Sequence, residues 1–510
     1  MPAVLSGLAL AFSIPPWGLW PLAYLGLAIL YWRLKGLGLR TRLWCGWVTG
    51  VAMMALSLFW ATNFTYPGWL VLVALEAAFI ALAAAVVPAH RGRAWAYPGV
   101  WVLAVAARDT WPFGGVPLGG LDLGQVGGPL APSARLGGHL LLVGLSAGIA
   151  VAMVELGGLC RPWLPKPLGL GPRARREHRL VPFALAGLGL VLALALAGFG
   201  TVAPDGGRPI GHIRVAVVQG GGPRGFRQID VNPNRVFQAQ LAAGANLKPP
   251  LDLVLWPENV ISLDRPLVGS PQAATVSRLA QSLNAVVIAG ITEPVGQTRF
   301  RNAAVAWSRD GKIIARYDKV HRVPFGEYVP WRSLFSHLAN LSAVPRDAIA
   351  GHGSGLMATP VGNFGVTISF EVFYAGRARS AINAGGTVLL VPTNAASYPR
   401  SQVPTQEVAA ARLRAIEEGR DLAQAGPTGY SAIIDNHGRV HQRSVLGRAQ
   451  VLEAVMAQRS GRTVYARFGD LPVLALSLLI VCLAWGSMAW ARRRIPSRIR
   501  PEAAPSGPSV

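Results

Sequence analysis

The chain has 510 residues, of which 52% are hydrophobic and 14% charged, with a mean hydropathy of +0.37. Long apolar stretches recur along it, so composition predicts an integral membrane protein rather than a soluble domain. The net charge of +24 invites a nucleic-acid reading, but seventeen Lys and Arg, opposed by two Glu, lie in four segments beside apolar stretches, as in cytoplasmic loops of membrane proteins.

In chain order, apolar spans are predicted near 3–14, 18–33, 43–63, 67–89, 95–108, 136–157, 181–200 and 471–490. A span needs about 20 residues, so the first and fifth are short. The N-terminus lacks the basic lead of a signal peptide, and Pro15-Pro16-Trp17-Gly18 marks a retained hairpin. The basic segments Arg33–Arg42, Arg91–Arg93, Arg161–Arg179 and Arg492–Arg500 follow spans two, four, six and eight. Both termini are therefore expected in the cytoplasm, and the stretch between spans seven and eight outside it. Residues 109–134, rich in Gly and Pro, read as an outer loop or a partly re-entrant segment. Glu76, inside span four, is either a functional group or a carboxylate that reaches water or pairs with Arg108.

The division expected is a transmembrane helical domain over 1–204, an α/β domain over 205–468, a C-terminal transmembrane helix over 469–494 and a basic, disordered tail over 495–510. The 205–470 stretch carries 29 basic and 18 acidic residues, which draws it to anionic lipid headgroups rather than to nucleic acid. Strands are predicted at Ile213–Gln219, Leu251–Trp256, Ala285–Ile291, on both sides of the Asp310-Gly311 turn, into Ser369, at Thr387–Val391 and from Tyr430. Helices are predicted near 232–244, 271–283, 375–384 and 404–420, an order that suits a sheet layered with helices. Gly220-Gly221-Gly222 lacks a phosphate-loop Lys and reads as a turn. Cys45, Cys160 and Cys482 all lie in or beside apolar spans, and the nine His are scattered, so neither a disulfide framework, a metal site nor a cysteine nucleophile is expected.

Three positions carry chemistry. Glu258 follows a buried strand in Leu255-Trp256-Pro257-Glu258, where α/β sheets build their sites; it is a general base or simply a surface glutamate at a strand end. Lys319, in Tyr317-Asp318-Lys319-Val320-His321, is a candidate to stabilise an oxyanion, or one more basic residue in a basic chain. Ser369 lies between the strand Val366–Ile368 and Phe370-Glu371, a place where a side chain is exposed on a sharp turn. The apolar run Trp331–Leu341 either dips into lipid or packs on the domain.

Glu, Lys and a strand-end nucleophile in this order, with Lys-x-His-x-Val-Pro-Phe-Gly-Glu-x-Val-Pro around Lys319 and eight apolar spans, resemble the apolipoprotein N-acyltransferase family of the nitrilase, or carbon–nitrogen hydrolase, superfamily. The likeness covers nearly the whole chain. It implies an αββα nitrilase-like domain outside the cell membrane of a bacterium. It also implies two-step transfer of a phospholipid acyl chain to the N-terminal amine of a diacylglyceryl-cysteine lipoprotein, with no metal or organic cofactor. Glu258 becomes the base, Lys319 the oxyanion stabiliser and Ser369 the nucleophile; Glu327 lines the site, and Asn302, Asn394, Phe370, Glu371 and Arg420 match supporting positions.

The family carries Cys-Tyr-Glu where this chain has Ser369-Phe370-Glu371. A thiol of pKa about 8.5 lies about four units above a carboxylate, and a serine hydroxyl is a far weaker acid. Serine nucleophiles usually rely on histidine or lysine. Turnover is therefore expected to be weak or lost. The loop also departs from the family: Ala395-Ala396-Ser397-Tyr398 replaces Asp-x-Trp-Phe, and Gly426-Pro427 stands near the family's Thr-Asn-Thr-Gly. The alternatives are a non-catalytic paralogue that binds lipoprotein or lipid, and a membrane-tethered amidase.

Overall fold

The computed structural model describes residues 1–90, 92–157, 172–221, 232–337, 341, 344–398 and 402–493; for 172–186, 335 and 488–493 only the backbone is described. Arg91, Cys160, Gly222, part of the basic segment Arg161–Arg179, part of the run Trp331–Leu341 and the tail 495–510 lie outside the described residues.

The N-terminal part folds as α1 (Pro2–Ser13), α2 (Pro21–Arg33), α3 (Leu39–Ser57), α4 (Tyr66–Val86), α5 (Arg93–Arg108), the short α6 (Leu121–Gln125), α7 (Ala134–Gly157) and α8 (Pro172–Val202). Prolines open α1, α2 and α4 within the first turn, where a missing N–H costs nothing. Helices α3 and α4 meet through small residues. A Cβ on Gly46 would lie 2.6 Å from Ala84 Cβ, and one on Gly50 2.7 Å from Ala77 Cα. Small residues at such positions let two helix backbones approach closely. Glu76 is fully buried and forms an ion pair with Arg108, which also donates to the Leu118 carbonyl. The expected outer loop is folded down on the bundle: Gln125 is buried and accepts from Tyr24 Oη at 2.8 Å.

Among the described residues two helical stretches are long and apolar enough to cross a membrane, Tyr66–Val86 and Ala131–Gly157; Pro2–Ser13, Gly187–Val202 and Leu471–Ser487 are shorter apolar helices.

The second part is a pair of sheets between helices. Its strands are β1 (Gly211–Gln219), β2 (Leu253–Leu255), β3 (Ile261–Ser262), β4 (Val286–Val295), β5 (Arg299–Trp307), β6 (Ile313–Asp318), β7 (Asp347–Ala348), β8 (Leu356–Thr359), β9 (Gly362–Val366), β10 (Val388–Pro392), β11 (Leu422–Ala425), β12 (Ala432–Ile434), β13 (Val440–Arg443) and β14 (Gln450–Gln458). Its helices are α9 (Pro233–Ala243), α10 (Pro271–Leu283), α11 (Arg332–Phe335), α12 (Ala375–Asn383), α13 (Gln402–Glu418) and α14 (Val464–Phe468), and α15 (Leu471–Arg493) follows. One sheet runs β14-β1-β2-β4-β5-β6, with β3 beside β4 and β7 beside β5; the other runs β13-β12-β11-β10-β9-β8. The centres, β1-β2-β4 and β9-β10-β11, are parallel.

Strand alternation explains the layering. Val215, Val217, Leu253, Leu255 and Ile288 of one sheet pack on Phe364, Val366, Val388, Leu390 and Ala423 of the other. The opposite faces of β1, β2 and β4 present Ala216, Val218, Val254 and Val287 to Phe237 of α9 and Val276 and Ala280 of α10. On the second sheet's outer face, α12 and α13 share one continuous core with the N-terminal helices. The sandwich therefore has helices on both outer faces, and one helical layer is also the seam to the bundle.

Three readings of the sequence change: Ser369 is buried rather than exposed on its turn, and two segments differ in structure. The strand before Ser369 stops at Val366, because Ser369 opens a 3-10 turn (Ser369–Phe373) rather than ending a strand. The described part of Trp331–Leu341 contains only the single turn α11, with Trp331 and Leu334 exposed.

Gln406 of α13 fastens the seam: its Oε1 accepts from Gly119 N at 2.9 Å, and its Nε2 donates to the carbonyls of Ser57 at 3.3 Å and Pro15 at 3.4 Å. Gln406→Ala leaves these backbone groups unpaired and is expected to cost roughly 1–3 kcal/mol, read as a lower melting temperature of the detergent-solubilised chain.

Candidate active site

Glu258, Ser369 and Thr393 lie beyond the C-terminal ends of the parallel strands β2, β9 and β10, where backbone leaves the sheet, and Asn302 of β5 and Lys319 after β6 come from the antiparallel side. Glu258 follows β2 beyond Trp256 and Pro257. Gly290 of β4 admits that turn: a Cβ there would lie 2.5 Å from Glu258 Cα and from the Pro257 carbonyl oxygen. Lys319 follows β6, and its N–H donates to the Asn302 carbonyl of β5 at 2.8 Å.

Four sequence-identified residues form one cluster. Lys319 Nζ donates to Glu258 Oε1 at 2.9 Å and to Glu327 Oε1 at 3.0 Å. Asn302 Nδ2 donates to the same two oxygens, each at 2.7 Å. Glu327 Oε2 accepts from Val323 N at 2.7 Å, which closes the turn carrying it. Lys319 is 1% exposed and Glu258 4%. Burial pushes the Glu258 carboxyl up, Lys319 opposes this and Glu327 adds to it; the carboxyl ends above its ordinary value. Burial works to lower the Lys319 ammonium, but Glu258 and Glu327 outweigh it and hold it above the ordinary lysine value. The lysine is thus a fixed cation, suited to an oxyanion and not to a base.

Ser369 sits at φ +51°, left-handed backbone that a residue with a Cβ enters only under constraint. Glu371 supplies the constraint. It is fully buried, and its carboxylate accepts from Ile368 N at 2.8 Å, Val320 N at 2.8 Å and His321 N at 3.0 Å. Tyr317 Oη donates to it at 2.9 Å. One carboxylate therefore ties the Ser369 turn to the loop that carries Lys319. Phe370 is half-buried, with its ring edge-on to Tyr374 at 5.1 Å.

Ser369 Oγ joins the cluster indirectly. Thr393, just after β10, lies 3.3 Å from Ser369 Oγ through its hydroxyl, and its carbonyl accepts from Glu258 N at 3.3 Å. Asn394 and Arg420 are not drawn in. Asn394 Oδ1 accepts from Ala396 N at 3.0 Å and shapes its own loop. Arg420 is 1% exposed and donates to the carbonyls of Gly386, Glu418, Gly419 and Gly461, which makes it a staple of backbone rather than a substrate group.

Sequence reasoning gave no role to Thr393 or Tyr317 and missed Glu407 of α13. Glu407 accepts from Thr393 Oγ1 at 2.7 Å, and its signal was a carboxylate among Val408, Ala409, Ala410 and Ala411. Among the described residues no group of three or more His, Cys, Asp or Glu is arranged to hold a metal ion.

The sandwich and the cluster at its strand ends belong to a carbon–nitrogen hydrolase domain: residues 214–460 match the carbon-nitrogen hydrolase family, and residues 6–152 match the apolipoprotein N-acyltransferase N-terminal domain. An apolipoprotein N-acyltransferase of Geobacter metallireducens is 30% identical over 97% of this chain and 95% of its own length. One of Mycolicibacterium smegmatis is 29% identical over 94% and 83%. The chain belongs to the apolipoprotein N-acyltransferase family. Among solved structures it is similar to Saccharomyces cerevisiae Nit3, a member of branch 10 of the nitrilase superfamily, at 17% identity and a TM-score of 0.37, covering 57% of this chain and 97% of that one.

Lys319→Met removes the cation and leaves Glu258 buried beside Glu327. Because the folded state already raises the Glu258 pKa, the variant escapes the penalty at low pH, where Glu258 is neutral, and incurs it as pH rises. The expected loss is roughly 3–5 kcal/mol once the carboxylate is charged, so the difference in melting temperature from the native chain should widen from pH 5 to pH 8.

Proposed function

We propose that this protein transfers an acyl chain from a phospholipid to the N-terminal amine of a diacylglyceryl-cysteine lipoprotein, by way of an ester on Ser369. The observation that carries the reading is the buried Glu258–Lys319–Glu327–Asn302 cluster beside a serine held in left-handed backbone. In the first step Ser369 Oγ attacks the acyl carbonyl, the bond to the glycerol oxygen breaks, and the lysophospholipid leaves with a proton. In the second the lipoprotein amine attacks the Ser369 ester, and Ser369 regains its proton as the amide forms. Lys319 stabilises the oxyanion in both steps. Glu258 takes the proton of the incoming amine, and Glu327 and Asn302 hold Glu258 and Lys319 in register. Neither step uses a metal or an organic cofactor.

The membrane part of the reading follows the charge pattern and the helices. Eight spans, α1–α5, α7, α8 and α15, would place both termini in the cytoplasm of a bacterial cell and the 205–468 domain outside the cell membrane, next to its lipid donor. The domain limits 1–204, 205–468, 469–494 and 495–510 belong to the same proposal. Exposed Phe325 lies within the Lys319 motif and exposed Trp331 and Leu334 just after it, and Phe113 packs on Trp331 with ring centroids 5.0 Å apart, which supports lipid contact there.

Serine for cysteine implies slow turnover, since an ester passes its acyl group to an amine less readily than a thioester. The same substitution supports a second reading, a paralogue that binds lipoprotein or lipid without turnover. Mass spectrometry of lipoprotein N-termini, in cells lacking any other N-acyltransferase, separates them. Acyl transfer predicts triacylated lipoprotein with the native chain, none with Ser369→Ala, and more with Ser369→Cys. Product from Ser369→Cys but none from the native chain would leave the binding reading.

A further inference from the structure

Behind Ser369 lies a buried chain of oxygen atoms that the reaction above does not use. Thr393 Oγ1 is 3.3 Å from Ser369 Oγ and 2.7 Å from Glu407 Oε1. All three residues are buried. A threonine hydroxyl has one proton and two acceptor positions. The shorter bond, to a carboxylate, takes that proton, because charge-assisted bonds are the stronger ones. The Thr393 oxygen then faces Ser369 as an acceptor, and the Ser369 proton points along the chain. Glu407 Oε2 is buried with no hydrogen-bond partner among the described residues. Such a carboxylate is costly to keep for structure alone. Glu258 is differently placed, with Oε1 shared between Lys319 and Asn302.

We propose that Glu407 is a positioning residue for the nucleophile, acting through Thr393 as a proton relay for the Ser369 hydroxyl. As Ser369 Oγ bonds to the acyl carbon, its proton passes to Thr393 Oγ1 and the Thr393 proton passes to Glu407 Oε1. When the tetrahedral intermediate collapses, Thr393 gives a proton to the departing glycerol oxygen on the same carbon and is reprotonated from Glu407. The relay supplies the base that a serine needs and that a neutral lysine cannot supply here, since Lys319 is held charged. The acyl-transfer reading provides the identity of the ester; the nucleophilicity of Ser369 is independent of it.

Burial pushes the Glu407 carboxyl up to about 7, with Thr393 opposing, Glu258 adding and Lys319 opposing. Tyr398, before α13, also faces it. Glu407 must be ionised to receive the proton, so Ser369 should become reactive as pH rises through about 7.

The test is covalent labelling of the full chain in detergent micelles by an alkyl fluorophosphonate, with the adduct located on Ser369 by mass spectrometry. The native rate should rise about tenfold between pH 6 and pH 8. Glu407→Gln keeps an acceptor for Thr393 but not a base, and should label about 100-fold more slowly with a flat pH profile. Thr393→Val should lose labelling, and Thr393→Ser should recover it, which loss of folding would not do. Labelling of Glu407→Gln at the native rate and profile, or no labelling of Ser369 in the native chain, would overturn the relay. Lipoprotein N-acylation is read in parallel: pH-dependent labelling without N-acylation would support the relay and sink the acyl-transfer reading.

Discussion

The site depends on one buried ammonium shared by two carboxylates. Lys319 is almost inaccessible to water, and an ion so placed is tolerated only with close opposite charge. Glu258 and Glu327 provide that charge, and Asn302 spans the same two oxygens. The partners arrive from the end of β2, the middle of β5, the end of β6 and the turn after it. Any slip in register between these strands would leave a charge unpaired, so the pairing of the first sheet and the chemistry of the site are specified by the same contacts.

Glu371 performs a second kind of coupling. It contributes no reacting atom, yet its carboxylate collects N–H groups from the Ser369 turn and from the Lys319 loop. The two loops descend from different sheets, β9 of one and β6 of the other. A single buried anion thereby joins the inter-sheet packing of Val366 and Tyr317 to a fixed relation between the Ser369 turn and the Lys319 loop.

Helix α13 couples the site to the N-terminal helices. Gln406 and Gln402 reach carbonyls at the end of α3, Arg412 reaches the Val126 carbonyl, and Arg414 pairs with Glu417 at 2.7 Å inside the seam. Glu407, beside Gln406 in sequence, points the other way, to Thr393. Adjacent helical residues lie about 100° apart around the axis, so one helix serves both faces.

The apolar helices, most strands, Glu258, Lys319, Glu327, Asn302 and Ser369 were legible in the sequence. Hydropathy marks helices without knowledge of neighbours, and a carboxylate after a buried strand, or a long specific string around a lysine, is a local pattern. Trp331–Leu341 stayed ambiguous because an apolar run states a preference for burial but not a partner, and Trp331 meets Phe113 of a distant loop. Arg420 and Asn394 matched motif positions, yet their hydrogen bonds go to backbone. Sequence alone determined the period of each element, the charge asymmetry of its ends and the chemical types available. Tertiary structure decided which carboxylate faces which cation, that Ser369 adopts left-handed backbone, and that Thr393 stands between it and Glu407. Those relations join residues from separate strands and helices, and only packing and the cost of burying unpaired polar groups bring them together.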